Sequence, residues 1–170
     1  MTTVTEIASI KRRFCAHLID VAILLIPTLL IPTLLIVLLL EDSPLILHLS
    51  YMCVNCSYFT YFISSKAQAT PGQQLMNICT INLDNSKIDL NLAFDRSASQ
   101  FFLPLLNSVV VVLTEFLQDQ EVLVNVLSAL KVIIVLLTLY WYLVACFSKK
   151  KQTYHDMLFG TIVVKGAIKN

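Results

Sequence analysis

The chain has 170 residues, of which 57% are hydrophobic and only 14% charged, with a mean hydropathy of +0.77. A soluble domain carries about 25% charged residues, so these few charges cannot clothe a globule of this size and lipid is the expected solvent. The net charge of +1, with no concentrated basic face, excludes a nucleic-acid binder, and five scattered cysteines argue against a disulfide framework.

The first predicted span covers about residues 17–40. Val21 to Leu40 is twenty residues without a charge, about 30 Å of helix, the thickness of a bilayer's hydrocarbon layer. Glu41-Asp42-Ser43-Pro44 closes this run, and the run is too long for a signal peptide, so a retained helix without a processing site is expected. Pro27 and Pro32 predict a kink, which lipid-embedded helices tolerate.

A second span is expected at about 45–63. His48, Ser50, Asn55, Ser57 and Thr60 interrupt it, so it should face other helices in preference to acyl chains. The short connection makes the first two spans an antiparallel hairpin. Residues 64–100 then read as a cytoplasmic, interfacial loop domain. Thr70-Pro71-Gly72 is a turn or helix start, and Ile78–Leu83 with Asp89–Phe94 reads as a two-stranded ribbon.

The third span, about 101–118, sits at the lower length limit for crossing, which leaves a full span and a re-entrant segment both open. The fourth, about 122–147, is the longest apolar stretch. Its Tyr140-Trp141-Tyr142 suits an aromatic belt. Residues 148–170 are expected to form a cytoplasmic C-terminal segment. The expected fold is therefore all-α: a polytopic membrane protein of four spans in two antiparallel hairpins, with an interfacial loop domain between them.

The charges sort accordingly. With four crossings and a cytoplasmic N-terminus, eleven of the twelve basic residues fall on one side; the exception, Lys131, lies inside the last span. The connections at 41–44 and 118–121 hold four acids and no base. This is the positive-inside pattern, and it predicts both termini in the cytoplasm.

Among single residues, Asp20 is the sharpest candidate. Helical spacing puts Arg13, Ala16 or His17, and Asp20 on one stripe. A carboxylate near hydrocarbon needs a partner. One reading is an ion or proton relay with His17; the other is a salt bridge, with Arg13 or with a group from the C-terminal segment. Lys131 faces Asn107 and Ser108 in the expected hairpin, with Glu115 within snorkelling distance; glue between helices and a transport role both fit. Cys53-Val54-Asn55-Cys56 has metal-site spacing but sits mid-helix without further ligands. Thr70-Pro71-Gly72 lacks the rest of a phosphate loop. No catalytic constellation is present, so neither an enzyme nor a cofactor is expected.

Three segments carry a resemblance: Arg13-Phe14-Cys15-Ala16-His17-Leu18-Ile19-Asp20, Ala69-Thr70-Pro71-Gly72-Gln73-Gln74-Leu75-Met76-Asn77-Ile78, and Gln152-Thr153-Tyr154-His155-Asp156-Met157-Leu158-Phe159-Gly160-Thr161-Ile162-Val163-Val164. In order and position they resemble the RDD family of small bacterial membrane proteins. The family's arginine and two aspartates map onto Arg13, Asp20 and Asp156. Gln73 stands where the family usually has lysine, Asn77 where it has glycine, and Gln100 where an arginine is common, which weakens a basic loop face. The resemblance implies a bacterial inner membrane and, for some members, ion or solute transport. It also suggests a cytoplasmic cluster of Arg13, Asp20, His155 and Asp156.

The expected function is a small transporter, or transport-associated protein, for a cation or small solute. The alternative is a membrane scaffold or assembly factor. Expected partners are membrane lipid, a small cation or solute, and either further copies of the chain or another membrane protein.

Overall fold

The computed structural model describes residues 6–39 and 44–166. The expected turn at 41–43 and the last residues of the tail lie outside this range. Helix α1 (Ile10–Leu39) begins about two turns before the predicted span and runs through Pro27 and Pro32 without interruption. Thr28 Oγ1 donates to the Leu24 carbonyl at 2.6 Å and Thr33 Oγ1 to that of Leu29 at 2.7 Å. Both hydroxyls are thereby satisfied where no water is at hand. Helix α2 (Pro44–Ser64) packs against α1. Its Ser50 and Asn55 bond the carbonyls of Leu47 and Tyr51 in the same way.

After α2 the chain leaves the bundle. Gln68 takes a left-handed backbone (φ 51°) and is buried. Its Nε2 donates to Ile63 O at 3.0 Å and Ile88 O at 2.8 Å, and its Oε1 accepts from Ile88 N at 2.6 Å. The loop is thus tied to the end of α2. Helix α3 (Pro71–Leu75) starts where Thr70-Pro71-Gly72 marked a helix start, with Thr70 and Gln73 in a capping box. Asn77, in the usual glycine position, has φ 52°, a conformation that asparagine tolerates better than most side chains.

The expected ribbon forms with a different second strand. Strand β1 (Ile78–Asn82) pairs antiparallel with β2 (Thr161–Lys165), Cys79 facing Val164 and Ile81 facing Ile162. Residues 89–94, read as extended, open a helix: Asp89 Oδ1 accepts from Leu92 N at 2.8 Å and caps α4 (Leu90–Gln100). The all-α expectation therefore gains a small sheet that joins the middle of the chain to its end. Ile7 adds a bridge to Val164, and Ala8 N donates to Val163 O at 3.0 Å. One sheet face packs Cys79, Ile81, Ile162 and Val164 on Ala69; the other packs Ile78 and Val163 on Ala8 and Ala16. Each isoleucine or valine buried here contributes about 1.5–3 kcal/mol.

Helix α5 (Phe102–Phe116) has 15 residues, about 22 Å of rise, too short to cross alone. It continues from α4 through a 44° bend, and the two together are long and apolar enough for one broken span or a re-entrant loop. Helix α6 (Glu121–Phe147) folds back on α5. Among the described residues, α1 and α6 are each long and apolar enough to cross a membrane, and only 17% and 6% of their apolar windows are buried by protein. Exposure on that scale suits lipid and not water. A short helix α7 (Tyr154–Leu158) leads into β2.

Candidate functional site

Two buried carboxylates organise the end of the bundle where α1 begins and α6 stops. Asp20 lies on α1 with 2% exposure. Its Oδ1 accepts from Tyr58 Oη at 2.8 Å and from Gly72 N at 2.8 Å; its Oδ2 accepts from Thr70 Oγ1 at 2.6 Å. Asp20 therefore fastens α2 and the start of α3 to α1. Gly72 is required at this contact: a Cβ there would stand 2.2 Å from the Ala16 carbonyl oxygen and 2.8 Å from Asp20 Cγ. Among the described residues Asp20 has no ion-pair partner, so the expected pairing with Arg13 or with the C-terminal motif does not form.

Asp156, on α7, is fully buried. Its Oδ2 accepts from Arg13 Nη2 and from Thr153 N at 3.1 Å. Its Oδ1 accepts from Arg96 Nη2 at 2.5 Å, Arg96 Nε at 3.2 Å and Thr161 Oγ1 at 3.3 Å. Arg13 also donates through Nη1 to the Lys151 carbonyl. Helices α1, α4 and α7 and strand β2 thus meet on one carboxylate. Burial alone would raise its pKa, but Arg96 first, and then Arg13, hold the carboxyl well below the usual range. A charge this deep needs such partners.

His155 is 4% exposed. Burial pushes it down to about 3, Asp156 opposes that, and Arg96 and Arg13 add to it. It is therefore neutral near pH 7, and its 3.8 Å approach to Asp156 is no ion pair. Its Nε2 shares a hydrogen bond of 2.9 Å with Thr153 Oγ1, while Nδ1 is buried without a partner among the described residues.

Between α1, α2, α4, α6 and α7 lies a cavity of about 400 Å³. Arg13, His17, Asp20, Arg96, Gln100 and His155 all line it. Of the suggested cluster, Arg13, Asp20 and His155 therefore line one space, while Asp156 is not part of its lining, and the two aspartates are fixed by separate networks. Arg96 is the member that the sequence did not single out. In the sequence it was one base among several in a polar loop, and only α4 aims it at Asp156.

Other candidates stand apart. Lys131, half-buried on α6, makes no ion pair among the described residues, and Ser108 bonds the Pro104 carbonyl instead of reaching toward it. Cys53 and Cys56 are free thiols, and no group of three or more metal-ligating side chains occurs among the described residues. A larger groove, about 980 Å³, runs beside α2, α4 and α5; it is lined by residues such as Leu49, Met52, Phe94 and Phe102, with Asp95 its one charged group.

Helices fit for a bilayer, capped at one end by a loop domain that is locked through an arginine and two buried aspartates, define a small helical membrane protein of the three-motif type. The chain belongs to the RDD family: the family model matches residues 7–160. Comparison with curated proteins and with solved structures returned no match.

Proposed function

We propose that this protein is a small transporter, or transport-associated protein, that takes up a cation or small polar solute in the cavity at the helix ends. The observation carrying this reading is Asp20. It is a buried carboxylate on a membrane helix, it has no ion-pair partner among the described residues, and it lines a 400 Å³ cavity beside His17. An ionisable group on a membrane helix is a candidate for a solute or proton path, beside its structural role of fastening the loop domain. In this reading α1, α2, the bent α4–α5 pair and α6 are four crossings. Both termini face the cytoplasm of a bacterial inner membrane, as the sorting of the basic residues supports. A bundle this small makes a complete path more readily as an oligomer.

A membrane scaffold or assembly factor is the second reading. It is favoured by the closure of the Asp156 network, in which five donors leave the carboxylate no room for a ligand. The test is flux by purified protein in liposomes, screened over protons, alkali cations and small organic solutes. Transport of any of these above empty liposomes supports the first reading. Correctly folded protein that moves none of them leaves the scaffold.

A further inference from the structure

The cavity is not evenly polar. Its α4 and α7 wall carries two buried nitrogens without a partner among the described residues, Gln100 Nε2 and His155 Nδ1. Beside them, Arg96 spends Nε and Nη2 on Asp156 and leaves Nη1 without a hydrogen bond among the described residues. Arg13 spends both Nη atoms and leaves Nε. The two carboxylates nearby are already occupied: Asp156 accepts five hydrogen bonds, and Asp20, on the opposite α1 wall, accepts three. The hydrogen-bonding capacity left over on this wall is therefore rich in donors.

Unpartnered buried polar atoms are rare and costly, about 1–3 kcal/mol each. Two of them on residues that line one cavity, beside two guanidiniums, call for an acceptor. From this we infer that the cavity holds a small oxyanion, a carboxylate or phosphate group, against Gln100, His155 and the free edges of Arg96 and Arg13. Planar guanidiniums are well suited to such groups. His155 takes part as the Nδ1–H tautomer, with Thr153 Oγ1 donating to its Nε2. The volume, at the small end of ligand pockets, fits a solute of few heavy atoms or one lipid headgroup phosphate. This inference rests on the transport reading for its meaning, since it names the substrate class, but binding is measured separately from flux.

The experiment follows thermal unfolding of the whole protein in phosphatidylcholine nanodiscs at constant ionic strength. Sodium acetate, sodium phosphate and neutral acetamide are titrated in turn, and a parallel series replaces part of the lipid with phosphatidylglycerol. A saturable rise in unfolding temperature with acetate or phosphate, but not with acetamide, is expected if the source is a free solute. A rise with phosphatidylglycerol alone identifies a headgroup. Gln100 Nε2 makes no hydrogen bond among the described residues, so Gln100→Leu should fold as well as the parent and weaken the apparent affinity about ten-fold or more. If that variant fails to fold, Gln100→Glu, of equal length with the donor replaced by a carboxylate, takes its place. No response to any anion, an equal response to acetamide, or unchanged affinity in the Gln100 variant would overturn the site. Anion binding without flux would retain the site and remove the transporter; flux of other solutes without anion binding would do the reverse.

Discussion

Arg96 holds Asp156 with two of its nitrogens, Nη2 at 2.5 Å and Nε at 3.2 Å, across sixty residues of sequence. Arg13 takes the other oxygen. Removing one partner from a buried pair costs about 3–5 kcal/mol, so Arg96→Met should unfold at markedly lower temperature than the parent in detergent. Because two arginines share one acid, the reciprocal exchange Arg13→Asp with Asp156→Arg should not restore stability: the new arginine would face Arg96. Recovery in the double exchange would mean that Arg96 does not reach Asp156.

The Asp20 contact leaves no room for a side chain at position 72. Gly72→Ala should cost about 1–3 kcal/mol. Trimming the acid in addition, as Asp20→Ala, should not recover the loss, because the closest obstacle is the Ala16 backbone oxygen at 2.2 Å. Equal unfolding temperatures for Gly72→Ala and the parent would contradict this packing.

Tyr58 donates one of the three hydrogen bonds on Asp20. Tyr58→Phe should lower stability by about 1.5–3 kcal/mol, the range for a hydrogen bond to a charged group. It should leave any flux intact, since the acid itself remains. Asp20→Asn removes the charge and turns one of the two oxygens into a donor, facing either Thr70 Oγ1 or the Tyr58 and Gly72 donors, so it should lose both stability and flux. If it stays fully stable and loses flux alone, the acid acts on the solute and not on the fold.

Acid should weaken the fold through His155. Its pKa is about 3 in the folded protein against about 6.5 when exposed. Between those values the unfolded chain binds a proton that the folded chain does not. Stability is therefore full above about pH 6.5 and falls, at roughly 1.4 kcal/mol per pH unit well below it. Asp156 works at lower pH: its carboxyl is depressed, so its contribution is present above the ordinary carboxylate range and lost only beneath it. Unfolding temperatures between pH 5 and 8 should show the His155 slope, and His155→Gln should flatten it.

Lys131 has no ion-pair partner among the described residues. Lys131→Met should therefore keep or raise stability, and a clear loss in detergent unfolding would reveal a contact that the fold does not account for.

Residue patterns alone located α1, α2 and α6 to within a turn or two, because a long uncharged run fixes both helix and solvent at once. The sheet was half legible. Ile78 to Leu83 read as extended, but its partner Thr161–Lys165 lies about eighty residues on, and no local signal names a distant strand. Asp89 misled in the other direction: it was a helix cap whose side-chain bond to Leu92 N decided against a strand. In the site, Arg13, Asp20 and Asp156 stood out through the three motifs. Arg96 did not, since a lone base in a loop says nothing of the carboxylate it will meet. The Asp20 partners were hidden for a related reason: a turn signal at Thr70-Pro71-Gly72 predicts its own shape, not the acid fifty residues earlier that it will cradle.

The link from Arg13 to Asp156 spans 143 residues, and synthesis reads them in that order. Until the second is made, the guanidinium near the start of the first helix has no carboxylate from the chain's end to meet; basic residues beside a span are of the kind that orient a nascent segment. Once the closing stretch of chain arrives, the same group is partly covered and paired with Asp156. Arg13 is thus a loose end while the polypeptide is being made and a latch when synthesis is done, its charge balanced in the finished protein by Asp156.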